Sequence, residues 1–164
     1  MKNSSSQGDY QVKVIYVTRC DEKAFLRAAL GLSSALFLSN SIRYWVTYEA
    51  MINERIRGNC LRYVLSVDGK RVRWLRPGEK NLQGFINTIK NGKPWPGVVL
   101  RKVDNEMVSQ KVGCLNIISY LKGQETCPNC IMLDEEEVKD IGLKPWWLLS
   151  AIMVVNDEQC RKRC

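Results

Sequence analysis

Four cysteines near the end of the chain have the spacing of a metal site. They form a C-x2-C pair and a C-x3-C pair separated by 29 residues, and they are Cys127, Cys130, Cys160 and Cys164. Four thiolates spaced in this way could hold a tetrahedral structural zinc ion. Disulfides, which occur inside some hyperthermophile proteins, and free thiols are the alternatives. The remaining cysteines, Cys20, Cys60 and Cys114, are interpreted as small buried apolar residues.

A run of four acidic residues, 134 to 137, follows the apolar stretch "CIML" in a chain whose formal net charge is +8. Acidic side chains in the first turn of a helix interact favourably with its dipole, each contributing about 0.3 to 1 kcal/mol. The run therefore predicts an N-capped helix over residues 134 to 141. A divalent-metal site built from these carboxylates is the alternative.

Positive charge is concentrated in one third of the chain. Residues 55 to 102 contain twelve Lys or Arg and two acidic residues, a balance of +10, whereas the remaining 116 residues have a balance of -2. This asymmetry is typical of a protein that binds a polyanion through one surface. Tyr63, Trp74 and Trp95 are interleaved with the charges and could stack on unpaired bases. A solvated basic surface that serves solubility is the alternative.

The candidate RNA-binding residues are the basic and aromatic side chains of this segment together with one earlier arginine. They are Arg43, Arg55, Arg57, Arg62, Lys70, Arg71, Arg73, Trp74, Arg76, Lys80, Lys93, Trp95, Arg101 and Lys102. The chain has no histidine, the usual acid and base at neutral pH, and no residue is assigned a catalytic role.

The first half of the chain predicts strands around one helix. Residues 10 to 18 alternate as a strand does, residues 22 to 36 have helical spacing with Asp21 as the N-cap, and residues 42 to 52 are rich in β-forming residues. Two alternating runs flank Asp68-Gly69, a dipeptide favoured in type I′ turns. We therefore expect a hairpin at this dipeptide, with Arg71 and Arg73 on one face of its second strand.

The second half predicts two helices and three short strands. Residues 76 to 92 should form a helix that begins near Pro77, ends at Gly92 and buries a stripe of apolar side chains, which are Leu82, Phe85, Ile86 and Ile89. The apolar runs 97 to 103, 114 to 121 and 130 to 133 have strand length. Pro145 begins an apolar helix to residue 160, with one face formed by Trp146, Leu149, Met153 and Asn156. Alternating helices and strands indicate an α/β fold with a largely parallel sheet, forming one domain over residues 11 to 164 after a disordered tail of ten residues.

Several stretches, in this order, resemble the archaeal family of tRNA pseudouridine N1-methyltransferases of the SPOUT class. The matching positions are Phe37, Leu38, Ser39, Ile42, Arg43, Pro77, Glu79, Asn81, Pro96, Gly97 and Arg101, and the similarity extends from about residue 12 to residue 159. The resemblance implies a SPOUT-like α/β fold with a C-terminal trefoil knot, a homodimer formed through that region, and structured RNA as partner. It also implies that S-adenosylmethionine is bound by a Gly-rich loop after one strand and by the loop before the final helix.

The chain departs from this family where the cofactor would bind. "CIML" corresponds to the strand before the family's Gly-Asp-His-Ile-Gly loop, but "DEEEVKDIG" follows here, so the histidine of that loop and its glycines, which would let the backbone approach a ligand closely, are gone. Residues 23 to 26 replace a Gly-Arg-Leu-Asp stretch, and the second loop is the bulky "LKPWWLLS". These departures predict that binding of S-adenosylmethionine has been lost.

Three functions are compatible with these patterns. The preferred one is a non-catalytic RNA-binding protein of SPOUT fold, ribosomal or ribosome-associated, whose basic residues contact rRNA phosphates. The second is an S-adenosylmethionine-dependent RNA methyltransferase, acting on uridine or pseudouridine, with a divergent pocket. The third is a protein-interaction subunit that dimerises through residues 145 to 155 or pairs with an active methyltransferase. No apolar run is long enough to span a membrane and no signal-type segment is visible, so a cytoplasmic location is expected.

Overall fold

The structure is a computed structural model that describes residues 10 to 39, 41 to 103, 113 to 123 and 127 to 161. The predicted tail, except for Tyr10, and the predicted zinc ligand Cys164 lie outside these ranges. The described ranges contain six strands, which are β1 (Val12–Val17), β2 (Val46–Ile56), β3 (Asn59–Asp68), β4 (Val98–Lys102), β5 (Leu115–Asn116) and β6 (Cys130–Asp134). They contain five helices, which are α1 (Ala24–Leu36), α2 (Glu79–Lys90), α3 (Ile117–Leu121), α4 (Glu135–Val138) and α5 (Pro145–Cys160).

The six strands form one sheet in the order β4-β3-β2-β1-β6-β5. β1 is central and pairs in parallel with both β2 and β6, and β5 also pairs in parallel with β6. Only the β2-β3 and β3-β4 pairs are antiparallel. The predicted α/β fold with a largely parallel sheet is therefore confirmed.

The core lies between this sheet and helix α1, which contacts β1, β2, α2 and α5. Gly31 allows α1 to approach the sheet, because a Cβ atom there would lie 2.7 Å from Cδ2 of Tyr16 and 2.7 Å from the hydroxyl of Tyr48. Both tyrosine side chains are fully buried. The Tyr48 hydroxyl donates a 2.7 Å hydrogen bond to the carbonyl of Ala28, which fixes α1 on β2.

Helix α2 has the buried stripe that the sequence predicts, since all four of its predicted core residues, from Leu82 to Ile89, are buried. The helix begins at Glu79, after Gly78 with a φ of +102°, so Pro77 precedes the first turn instead of lying in it. Gly92, with a φ of +79°, follows the helix end as predicted.

The hairpin predicted at Asp68-Gly69 is wrong. The turn between antiparallel strands lies at Arg57-Gly58, where both residues have positive φ, +53° and +83°. β3 ends at Asp68, and residues 70 to 75 form turns and irregular backbone. The backbone N–H of Gly69 instead donates a 2.9 Å hydrogen bond to the carbonyl of Val46.

The apolar run 114 to 121 was predicted to be a strand and is mostly helix α3. Only Leu115–Asn116 pair with β6. The side chain of Asn116 then accepts a 2.9 Å hydrogen bond from the backbone N–H of Ser119 and caps the helix. A short apolar run has no periodicity that separates a strand from a buried helical turn, and the cap decides between them here.

The predicted zinc site is wrong because its cysteines form disulfides. Among the described residues, Cys127 pairs with Cys160 and Cys130 pairs with Cys114, with Cα separations of 5.4 and 4.6 Å. A third disulfide joins Cys20 to Cys60. The interpretation of Cys20, Cys60 and Cys114 as small buried apolar residues is also wrong, because each forms a disulfide and each is at least partly exposed. Within the same ranges, the acidic run included, no group of three or more Cys, Asp or Glu could hold a metal ion.

The described helices do not include one that is both long enough and apolar enough to cross a membrane. The longest of them, α5, has 16 residues and packs against α1. Of the four residues predicted to form one face of this helix, Leu149, Met153 and Asn156 are buried, whereas Trp146 is partly exposed.

Candidate nucleic-acid interface

The basic residues of segment 55 to 102 lie at two ends of the sheet. Arg57 is in the turn before β3, whereas Lys70 to Arg76 follow the last residue of β3. β3 has ten residues and therefore spans about 30 Å at roughly 3.3 Å per residue. The basic surface that the sequence predicts as one patch is thus divided in two. We call the part at Arg57 the turn end and the part at residues 70 to 76, which includes Trp74, the tryptophan end.

A groove of about 520 Å³ lies at the tryptophan end. Its lining residues come from the loop after β3, from α2 and from the loop before β4, and they are Trp74, Leu75, Arg76, Lys80, Asn81, Gly84, Phe85, Thr88 and Trp95. We call it the tryptophan groove. Arg76 and Lys80 are the charged residues of this lining, and both are exposed. The groove therefore combines positive charge with aromatic rings, as sites for single-stranded nucleic acids do.

Trp74 is presented to solvent by its backbone. Its φ is +62°, a conformation that costs a residue with a Cβ atom roughly 1 to 2 kcal/mol. The neighbouring side chains of Val72 and Leu75 are buried, with exposed fractions of 4% and 7%, whereas Trp74 is 77% exposed. Burial on both sides fixes the loop and directs the indole outward. Strained backbone of this kind is often found at functional sites.

Trp95 forms the wall of the groove and supports the loop. Its indole N–H donates a 2.8 Å hydrogen bond to the carbonyl of Arg73, and its ring packs edge to face on Phe85 at 4.9 Å between centroids. Tyr63 packs in the same way on Phe25, at 5.1 Å. All three aromatic residues predicted to stack on bases lie in the described part of the chain, and Trp74 is the only one of them that is exposed.

Arg43 does not belong to the exposed surface, and we correct its predicted role. Its side chain is buried at 4% exposure and forms an ion pair with Asp157, with 2.9 Å between Nη2 and Oδ2. The same guanidinium donates to the carbonyls of Ser34, Ala35 and Phe37, each at 3.2 Å. Arg43 therefore joins α5 to the end of α1 and is not available to RNA.

The other predicted residues are at least partly exposed. At the turn end, Arg55 donates to the carbonyl of Cys20 at 3.0 Å and Arg62 donates to the side chain of Asn53 at 2.9 Å. The remaining basic residues of the prediction are classed as exposed, and they are Arg57, Lys70, Arg71, Arg73, Arg76, Lys80, Lys93, Arg101 and Lys102. Arg71 is 79% exposed and lies 3.7 Å from a carboxylate oxygen of Asp68.

A second cavity, of about 510 Å³, lies at the carboxyl ends of β1 and β6. Its lining residues are Arg19, Asp21, Arg27, Glu135, Lys139, Gly142, Leu143, Lys144, Pro145, Trp146 and Trp147. β2 lies on one side of β1 and β6 lies on the other, so the strand order of the sheet reverses at β1. We therefore call this cavity the switch-point cavity. Crevices at such points are the usual ligand sites of α/β sheets.

One residue of the acidic run, Glu135, lines this cavity. Asp134 caps α4 by accepting a 2.9 Å hydrogen bond from the backbone N–H of Glu136. The predicted N-capped helix is therefore present, although it ends at Val138 instead of residue 141. The Glu135 carboxylate is 2% exposed and accepts hydrogen bonds from the Tyr16 hydroxyl at 2.7 Å and from Nε of Arg27 at 2.9 Å.

This arrangement changes the ionisation of the neighbouring groups. Burial raises the pKa of Tyr16, and the negative charge of Glu135 and its hydrogen bond raise it further. Burial disfavours the charged form of Arg27, but hydrogen bonds to Glu135 and Asp21 outweigh that effect and raise the pKa of the guanidinium. Glu135 is thus a structural acceptor joined to β1 and α1. The sequence alone identifies it only as one of four consecutive acids.

The lining of the switch-point cavity carries more positive than negative charge. The resemblance places the cofactor loops at residues 134 to 150, which form part of this lining. Asp21 and Glu135, the acidic lining residues, are both bonded to Arg27, at 2.8 and 2.9 Å. Arg19, Lys139 and Lys144 add three further positive charges. The sulfonium of S-adenosylmethionine would meet like charges there, of which Arg19 and Lys139 pair with Glu136, a residue outside the lining, at 3.5 and 2.6 Å.

No protein-family model matches the chain, and no curated protein matches it.

Proposed function

We propose that this chain is a non-catalytic RNA-binding protein that binds unpaired nucleotides of a structured RNA in the tryptophan groove. The observation that carries the proposal is the 77% exposed indole of Trp74, held outward beside Arg76 and Lys80. An exposed tryptophan among cations provides a stacking surface for a base and attraction for its phosphates.

In the expected binding mode, the aromatic side chain contacts a base and the basic side chains contact phosphates. A base stacks on the Trp74 indole, a contact that contributes about 1 to 3 kcal/mol and is tolerant of sequence. Arg76 and Lys80 contact the adjacent phosphates, and Arg71 and Arg73 attract the backbone from outside the groove. Phosphate contacts then determine most of the affinity, and unpaired regions are preferred over duplex.

We also propose the SPOUT fold with its C-terminal knot, a homodimer, and rRNA as the RNA, because the sequence resemblance implies them. Two features support this part. The late strand β6 lies between β1 and β5, so the C-terminal third of the chain enters the sheet beside its first strand. α5 also leaves Val154 and Val155 exposed, at 55% and 44%, as an interface helix would in an isolated subunit.

The test is the affinity of the purified protein for an RNA hairpin with an unpaired loop and without a 5′-phosphate, measured by fluorescence anisotropy. Trp74→Ala should weaken binding by about 5- to 150-fold, the equivalent of 1 to 3 kcal/mol. Tyr44→Ala is the matched control, because Tyr44 is a half-exposed aromatic residue outside the groove. Equal affinity of wild type and Trp74→Ala would exclude the groove as the binding site.

A further inference from the structure

The switch-point cavity has the charge of an anion-binding site. Arg19 and Lys139 are half-exposed at its rim, with side-chain exposures of 56% and 45%, and both pair with Glu136, at 3.5 and 2.6 Å. Glu136 is itself 59% exposed. Ion pairs between exposed side chains contribute little to stability. A ligand anion in the cavity can therefore compete with Glu136 for these two cations.

The first turn of α5 adds a second attraction for an anion. Lys144, Pro145, Trp146 and Trp147 line the cavity, and α5 is a 16-residue helix without a capping side chain or an acidic residue in its first turn. The positive end of its dipole thus borders the cavity and favours negative charge.

The same turn supplies a surface for a planar ring. The Lys144 ammonium lies 5.5 Å from the ring centroid of Trp146 and 5.8 Å from that of Trp147. Trp147 is 57% exposed. Two indoles beside one ammonium group offer stacking and charge at the same place.

We propose that the switch-point cavity binds a nucleoside phosphate, with the base against Trp146 and Trp147 and the phosphate near Lys144, Arg19 and Lys139. The volume of about 510 Å³ lies within the roughly 300 to 1,000 Å³ of small-molecule sites. The ligand is either a free nucleotide or the 5′-phosphorylated end of an RNA. The inference does not depend on RNA binding in the tryptophan groove, since the two sites share no lining residue.

The experiment is isothermal titration of the oxidised full-length protein with adenosine 5′-monophosphate, adenosine, inorganic phosphate and S-adenosylmethionine. We expect the monophosphate to bind at least about tenfold more tightly than adenosine, because charge-assisted hydrogen bonds to the phosphate add to the stacking. Binding of S-adenosylmethionine should be weaker than that of the monophosphate. A 5′-phosphorylated dinucleotide distinguishes the two sources: tighter binding than the monophosphate identifies an RNA end, and weaker binding identifies a free nucleotide.

Two variants separate the roles of charge and ring. Lys144→Ala should weaken the monophosphate about tenfold and leave adenosine unchanged. Trp147→Ala should weaken both ligands, since stacking does not require the phosphate. Both side chains are exposed, so the variants are expected to fold. Lys122→Ala, which removes an exposed positive charge outside both linings, is the charge-matched control and should not change either affinity.

Three results would overturn the inference. The first is absence of heat with both the monophosphate and the phosphorylated dinucleotide. The second is equal affinity for adenosine and its monophosphate, which would remove the role of the cations. The third is tighter binding of S-adenosylmethionine than of the monophosphate, which would favour the methyltransferase interpretation. None of these results affects the test of Trp74 with unphosphorylated RNA.

Discussion

The hydroxyl of Tyr16 donates a 2.7 Å hydrogen bond to the carboxylate of Glu135 in the interior of the protein. Tyr16 lies in the central strand β1, and Glu135 begins α4 directly after β6. The bond therefore fixes the acidic run to the carboxyl edge of the parallel strands. This is a physical reason for consecutive acids in a basic chain: one caps a helix, one is a buried acceptor, and the exposed Glu136 pairs with cations.

Loss of the buried carboxylate should be costly. Glu135→Ala leaves the buried Tyr16 hydroxyl without its acceptor and leaves Arg27 with one carboxylate partner, Asp21. Breaking a buried ion pair costs about 3 to 5 kcal/mol. Glu137→Ala, two residues away and exposed, should change the free energy of unfolding by no more than about 0.5 kcal/mol. Urea denaturation of both variants measures the difference. Similar stabilities of the two variants would contradict the structural role of Glu135.

The buried tyrosine predicts sensitivity to alkaline pH. The pKa of Tyr16 is raised in the folded protein by burial and by Glu135, so the unfolded chain releases this proton first, above about pH 10. The folded state then binds more protons than the unfolded state, and the free energy of unfolding falls as pH rises above this value. Thermal unfolding between pH 8 and 11 should show this fall, and Tyr16→Phe should make it shallower. If the stability of the variant falls with pH as steeply as that of the wild type, groups other than Tyr16 cause the fall.

The reassignment of Arg43 predicts an effect on stability without an effect on RNA binding. Arg43→Ala leaves Asp157 without its ion-pair partner and three carbonyls without a donor, which should destabilise the protein by about 3 to 5 kcal/mol. The RNA affinity of the folded fraction should not change. Arg71→Ala, at an exposed position, should weaken RNA binding and leave the free energy of unfolding unchanged. Weaker RNA binding by folded Arg43→Ala protein would restore Arg43 to the interface.

The disulfides predict that a reductant destabilises the protein and that a chelator does not. Cys20–Cys60 joins residues 40 apart in sequence, and a loop of this size corresponds to about 3 to 4 kcal/mol of stabilisation. Replacing both cysteines with serine should therefore lower the free energy of unfolding by this amount. Treatment with EDTA should leave the melting temperature unchanged, whereas dithiothreitol should lower it. A fall in melting temperature with EDTA alone would support bound metal.

Helix α2 was predicted because its signals lie within a short stretch of sequence. The apolar stripe of α2 has helical spacing, and glycines lie at both of its ends, so its extent was predicted closely. The hairpin was misplaced because its prediction rested on the turn composition of one dipeptide. Asp68-Gly69 has the more favourable turn composition, but Arg57-Gly58 adopts the turn, since the strands on its two sides pair over their full length from Thr47 to Asp68.

Contacts between distant residues were not predictable in this way. The pairing of Cys130 with Cys114, instead of with a zinc ion, depends on β5 lying next to β6. The burial of Glu135 depends on Tyr16, which is 119 residues away in sequence. Arg43 was assigned to the basic surface because charge counts do not show which arginine is buried. The division of the basic segment likewise follows from the length of β3.

The salt dependence of RNA binding tests the central proposal most directly. Each phosphate contact on a single strand contributes about -0.7 to the slope of log K against log salt concentration. Arg76→Ala with Lys80→Ala should therefore reduce the magnitude of the slope by about 1.4. A double variant of two exposed lysines outside the groove, Lys13→Ala with Lys122→Ala, should retain the wild-type slope. Equal slopes in all three proteins, or absence of binding at low salt, would contradict RNA binding in the tryptophan groove.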